Sequence, residues 1–249
     1  MMIQDAKLKQ DILAGKNIVI TGAGSDLGRS IAIASARHGA NVVMLDRKQR
    51  DMNSAYDLIC DSGHPEPIIV EFDILKSSAQ DFQLLADSLA AEVKALDGLV
   101  HCAMWGTPLT PVILSSMDIW QKTLDQSLIK PMYLTKSLLP ALNGNQQASI
   151  VFPVLDIGRK GRAYWGALGS AFAGIENLCE TLVDECDNNN IRVNTLDCTR
   201  IKTAVRRKFY PAESVDHLIE PDDDIVTECF VRLLSDNASI SGIRHRIPS

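Results

Sequence analysis

The short strands of this chain are apolar from end to end, and that constrains the fold more than any other feature. "NIVIT" (residues 17–21), "NVVML" (41–45), "PIIVEF" (67–72), "GLVHCA" (98–103), "SIVFPV" (149–154) and "IRVNTL" (191–196) show no strict alternation of apolar and polar positions. A strand with one wet face alternates with a period of two, whereas a strand covered on both faces does not. Between these runs lie helical patterns over residues 27–38, 49–61, 79–96, 116–142, 164–187 and 221–235. Strand–helix alternation of this kind builds βαβ units, whose crossovers lay helices on both faces of a parallel sheet. The pattern predicts an α/β chain with a doubly wound parallel sheet flanked by helices. Residues 116–142 form one helix or two, broken near Pro131, and a short tail strand lies near 240–244. No linker, repeat or low-complexity tract interrupts the pattern, so residues 1–249 are expected to form one domain. Segment 199–220 is the one long irregular excursion, of the kind that serves as a lid or binding loop.

Composition narrows the function classes. Hydrophobic residues make up 46% of the chain, enough for a large core. A net charge of -6 argues against nucleic acid as a partner, since phosphate neutralisation needs clustered Lys and Arg. The short basic cluster Arg206, Arg207, Lys208 is expected to be a solvated turn. Six cysteines (60, 102, 179, 186, 198 and 229) form no CxxC pair and no Cys/His grouping with metal-ligand spacing. They predict buried thiols in a reducing compartment and no metal. The N-terminus has no apolar signal core, and no apolar run approaches the roughly 20 residues that span a bilayer. A cytoplasmic protein without membrane contact is expected.

"TGAGSDLG" (residues 21–28) joins the first strand to the first helix. Gly22, Gly24 and Gly28 let the backbone come close to a pyrophosphate, which then rests on the amides of a helix N-terminus. The same glycines also serve a tight turn and close packing with no ligand. Asp46 ends the second strand, where a carboxylate can accept hydrogen bonds from an adenosine ribose. Turn and carboxylate together favour a nucleotide site.

At these residues the chain resembles the short-chain dehydrogenase/reductase family. "TGAGSDLG" is similar to its T-G-x-x-x-G-x-G turn, "FDI" (72–74) to its adenine contact, and "GLVHCA" to the strand carrying its N-A-G motif. "GRKGRAYWGALGSAF" (158–172) resembles the approach to its Y-x-x-x-K helix, and Thr203 matches the threonine beyond its P-G loop. The resemblance implies a Rossmann-like domain and NAD(P)-dependent oxidation or reduction of an alcohol/carbonyl pair. It implies cofactor contacts at Gly22, Gly24, Leu27, Gly28, Asp46, Asp73, Ala103 and Thr203. It also implies a dimer or tetramer.

The family's four chemical side chains are missing. Its Tyr position is Leu168, its Lys position Phe172, its Ser position Leu155, and its Asn position falls near Ser127. Leucine and phenylalanine carry no titratable proton, so they cannot act as acid or base. The second glycine of the turn is Asp26, expected to cap the first helix and compete with a phosphate for its amides. Met104 stands in the N-A-G glycine's place, and Cys198 and Thr199 replace the P-G pair. Asp46 implies NAD rather than NADP, although Arg47 weakens that choice; Asp26, Met104 and the lost lysine oppose binding. A catalytically impaired member is expected, acting as a binding or partner subunit. The alternative is an active NAD(P)-dependent oxidoreductase rebuilt on Tyr164, Lys160, Asp156 or Cys102, each of which also has an ordinary packing or surface role.

Helices 116–142 and 164–187 are the expected homodimer or homotetramer contacts, with an active relative as another partner. Leu168, Phe172, Ile175, Cys179 and Leu182 form an apolar stripe on the second of these. Gly166, Ala167, Gly169, Ser170 and Ala171 would allow a close helix approach. Leu168 and Phe172 are expected to point into a greasy, narrowed pocket.

Overall fold

The computed structural model describes residues 8–93, 95–106, 108–143, 147–186, 190–235 and 241–248. Among these residues one seven-stranded sheet runs in the order β3-β2-β1-β4-β5-β6-β7. Its strands are β1 (Asn17–Thr21), β2 (Asn41–Asp46), β3 (Ile68–Glu71), β4 (Gly98–His101), β5 (Ala148–Val154), β6 (Ile191–Asp197) and β7 (Arg244–Arg246). Every pairing is parallel. The chain moves outward from β1 to β3 and then returns to β4 on the other side of β1, so the strand order reverses there. Open α/β sheets bind ligands at that reversal, beyond the strands' carboxyl ends.

The helices are α1 (Asp26–Arg37), α2 (Gln49–Asp61), α3 (Ala79–Val93), α4 (Met117–Leu124), α5 (Lys130–Asn143), α6 (Gly166–Cys186), α7 (Ala204–Phe209) and α8 (Asp224–Leu234). They cover both sheet faces, which explains the missing alternation. In β1, Ile18 and Ile20 enter a core built with α1, α2 and α8, while Val19 enters a second core with α3, α5 and α6. All three side chains are fully buried.

Several boundaries differ from expectation. The 116–142 helix does not break at Pro131. It passes through a wide-turn π segment (Asp125–Ile129), in which Lys130 N–H bonds the Asp125 carbonyl, and this shift of the ladder comes just before Pro131, which lacks an N–H. Helix α6 begins at Gly166, after Tyr164, and residue 187 lies outside the described residues. The tail strand occupies Arg244–Arg246, and residue 240 lies outside the described residues. Segment 199–220 contains α7.

The stripe and small residues of α6 serve the chain itself. Leu168, Phe172, Ile175, Cys179 and Leu182 are each 6% exposed or less, inside the second core. A Cβ added to Gly166 would come 2.8 Å from Trp120, and one on Gly174 would come 2.8 Å from Leu128. The small residues therefore let α4 and the π segment press onto α6 within one chain.

A buried ion network fastens α6 to its surroundings. Glu176 is 3% exposed and lies 2.8 Å from Arg159 Nε, on the loop after β5, and 3.4 Å from Arg244 Nη1 on β7. Removing Glu176 takes a charged acceptor away from two arginines that are themselves partly solvated. Glu176→Ala is therefore expected to cost about 1.5–3 kcal/mol of unfolding free energy in urea titration. Glu180→Ala, which removes the exposed partner of Arg244, should cost about 1 kcal/mol or less. Equal losses would mean that burial of the network is unimportant.

Candidate functional site

The glycines of the first turn are demanded by packing. Gly22 has φ +64, and a Cβ there would lie 2.7 Å from the Ala103 amide. A Cβ on Gly28 would lie 2.2 Å from the Gly22 carbonyl oxygen. Thr21 Oγ1 accepts from the Ala103 amide at 3.1 Å, which ties the turn to the end of β4. Asp46 Oδ2 accepts from Gly24 N–H at 2.9 Å, and Oδ1 from Arg47 N–H at 2.7 Å.

Beyond this turn lies a cavity of about 430 Å³. Gly22, Gly24, Leu27, Asp46, Asp73, Ala103 and Thr203 all line it; Gly28 packs beneath the turn instead. Asp26 and Met104 line it too. Asp73 Oδ1 accepts from its own turn, at Leu75 N–H, and Lys76 lies 3.6 Å from Oδ2.

Asp26 does not cap α1, contrary to the sequence reading. Ser25 is the N-cap, with its Oγ accepting from Gly28 N–H at 3.3 Å. That frees the Asp26 carboxylate, one residue on, to reach across the cavity mouth. Its Oδ2 accepts from Ala204 N–H, the first amide of α7, at 2.6 Å.

Helix α7 is held on its other sides as well. Thr203 caps it through Arg206 N–H at 3.1 Å. Arg206 makes a forked pair with Glu213 at 2.7 and 2.6 Å, donates to the Thr199 carbonyl, and lies over the Tyr210 ring. The Arg206 guanidinium holds the Glu213 carboxyl below its usual range. Trp165 meets Phe209 edge-on at 4.9 Å between ring centres and Tyr210 at 5.8 Å. The expected solvated basic turn is thus corrected at Arg206, whose side chain is only 14% exposed. Its signal was faint: a threonine three residues before an arginine, opening a short amphipathic run.

Next to the cavity is a pocket of only about 50 Å³, between Met104, Leu155, Asp156, Trp165, Arg206 and Phe209. Of the four positions to which the resemblance assigns the family's chemistry, Leu155 alone lines it. Leu168 instead borders a hollow of about 20 Å³ with Trp120 and Tyr164, and Phe172 is packed against Gly158 in the core. The expectation that both point into the pocket is corrected: the helix face that would carry them is turned into the second core. Ser127 is buried in the π segment, and its hydroxyl has no partner among the described residues.

Of the substitute groups, Tyr164 is 55% exposed at φ +77 and lies on the far hollow. Lys160 is on the surface. Burial raises the Cys102 thiol far above its ordinary range, which removes its nucleophilic form. Asp156 reaches the pocket wall, paired to Arg162 at 2.5 Å. His101 was not foreseen. It lines the pocket, stacks on Phe152 at 4.6 Å and lies 2.9 Å from Thr135 Oγ1.

Known proteins resemble this chain along nearly all its length. The family model described as short chain dehydrogenase matches residues 16–214. The "Uncharacterized oxidoreductase YciK" of Escherichia coli K12 is 30% identical over 230 residues, 92% of this chain and 90% of that protein. A short chain dehydrogenase from Salmonella enterica superposes with a TM-score of 0.93 at 30% identity, over 98% of this chain and 100% of that one. A protein of Escherichia coli CFT073 complexed with NADPH superposes with a TM-score of 0.92 at 30% identity, over 97% and 100% of the two chains.

Desolvation lowers His101 from 6.5 to about 3. The unfolded chain therefore takes up a proton near pH 6.5 that the folded chain refuses until near pH 3. The stability held by the neutral ring is complete above pH 6.5 and is lost as pH falls towards 3. His245, lowered to about 4 by burial, acts in the same direction. Each group should cost up to about 1.4 kcal/mol per pH unit in that window. Urea titrations at several pH values should show a shallower acid slope for His101→Asn than for the wild type; identical slopes would refute the assignment.

Proposed function

This chain belongs to the short chain dehydrogenase family, and we propose that it is a member without hydride-transfer chemistry, working as a binding or partner subunit. The reading is carried by the burial and apolar character of Leu168 and Phe172, the residues that the resemblance puts at the family's acid/base positions. Neither has a proton to move at any pH. The pocket that Leu155 lines, at about 50 Å³, falls well short of the roughly 300 Å³ or more of small-molecule sites.

The related structure with NADPH supports a nicotinamide nucleotide as the ancestral ligand of the larger cavity. Asp46 supports NAD over NADP, because a carboxylate repels a 2′-phosphate; Arg47 works the other way. An active enzyme is the second reading, supported by Asp156 and Arg206 on the pocket wall.

Self-association is supported by an apolar strip before and along α4. Val112, Ile113, Leu114, Met117, Ile119 and the nearby Tyr164 are between 40% and 91% exposed. Contiguous apolar surface of this kind marks interfaces. The reading retains a homodimer or homotetramer, with residues 116–142 and 164–187 near the contact. Six free thiols support a reducing, cytoplasmic setting. No helix among the described residues is long and apolar enough to cross a membrane.

Offered NADH or NADPH with a panel of aldehydes and ketones, the protein should oxidise neither faster than the buffer does. Saturable, substrate-dependent loss of reduced-nicotinamide absorbance would overturn the non-catalytic reading. In sedimentation the wild type should run as a dimer or tetramer, and Ile113→Asp with Met117→Lys as a monomer. A monomeric wild type would remove self-association.

A further inference from the structure

We propose that the 430 Å³ cavity is a site for a nucleoside without phosphates, uncharged or cationic at its 5′ end, and that Asp26 excludes diphosphates from it. The ligand class follows from what each end of the cavity offers. One end is an apolar slot between Phe72, Ile74, Leu75 and Ala103, suited to a flat heteroaromatic base. Beside it stands Asp46. Each of its oxygens accepts one backbone N–H, and each retains a lone pair for a sugar hydroxyl.

The other end should receive the phosphates, and there a carboxylate stands among the donors. Gly24 N–H goes to Asp46 and Ala204 N–H to Asp26. An anion site at a helix N-terminus presents its amides to an incoming negative charge. Here the first residue of that helix, Asp26, places its own negative charge in front of them. Asp26 adds its carboxylate at the mouth, on a cavity wall that also carries Asp46, Asp51 and Asp73 against Arg47 and Lys208.

A dinucleotide therefore does not fit the residues present. Its pyrophosphate would have to displace the Asp26–Ala204 bond and face the carboxylate it released. Its other end would meet Met104 and the narrow pocket held shut by Trp165 and Phe209. A neutral nucleoside meets none of these obstacles. A cationic 5′ substituent would be drawn towards Asp26.

The inference rests on the non-catalytic reading, and binding calorimetry tests it without reference to turnover. The full chain is titrated with adenosine, ADP and NADH. Adenosine should bind more tightly than either phosphate-bearing probe. Asp26→Gly should tighten ADP and NADH by about tenfold or more and leave adenosine within about twofold, which also reports an intact cavity. Asp26→Asn, which keeps an acceptor for Ala204 without the charge, should fall between the two. Tighter binding of ADP or NADH than adenosine to the wild type would overturn the inference. So would binding of none of the three, or an Asp26→Gly protein unchanged towards ADP. Tight NADH binding without turnover would overturn this inference alone, whereas turnover would overturn the non-catalytic reading.

Discussion

Everything at the candidate site depends on how closely β1 and β4 end beside each other. Thr21 pairs with His101 in the sheet register, and one residue later Gly22 comes so near the Ala103 backbone that no side chain fits between. That contact sets where the chain turns into α1, and so where the Ser25 cap and Asp26 stand. It also places Met104 at the cavity wall. A parallel sheet buried on both faces leaves only the strand ends free for ligands, so the reversal between β1 and β4 has no competitor. This frame is held by backbone packing, so it does not depend on which side chains line the cavity.

The fold was legible because its signal is local and repeated. Apolar runs of strand length and helical periodicity each reflect a neighbour's burial, and the glycine turn reflects steric limits within a few residues. The site was only half legible. Which positions lack acid/base groups can be read directly from Leu168 and Phe172, but where those side chains point depends on how α6 rolls against the sheet. The role of Asp26 was out of reach for a sharper reason. Its partner, Ala204, is 178 residues away along the chain. Ser25, an equally good cap, stood next to it, and local rules alone do not choose between them. Arg206 was misjudged similarly, since a short basic run looks solvated until Glu213 and Tyr210 fold back onto it.

The changes at the site form one physical pattern. Ionisable groups inside a protein carry a desolvation cost that hydrophobic residues of similar size do not. Leu168 and Phe172 extend the second core continuously from the sheet through α6, alongside Ile175 and Cys179. Such a core has no need to keep water or a cofactor close to a buried charge. The polar groups that remain near the site are mostly engaged with one another. Asp26 holds α7, Arg206 holds Glu213, and Thr199 Oγ1 accepts from Asp156 N–H and donates to Asp197. These bonds tie α7 and the loops after β5 and β6 to one another around the site.

The aromatic contact beneath α7 has an optical consequence. Trp165 is wedged against Phe209 of α7 and Tyr210 just after it, and is 5% exposed. Trp120 lies against Gly166 at the start of α6, and Trp105 lies under Lys122. A displacement of α7 away from the cavity would open this edge-on contact and wet the indole. The chain therefore carries an emission probe at that contact, whose colour reports whether the helix stays against Trp165.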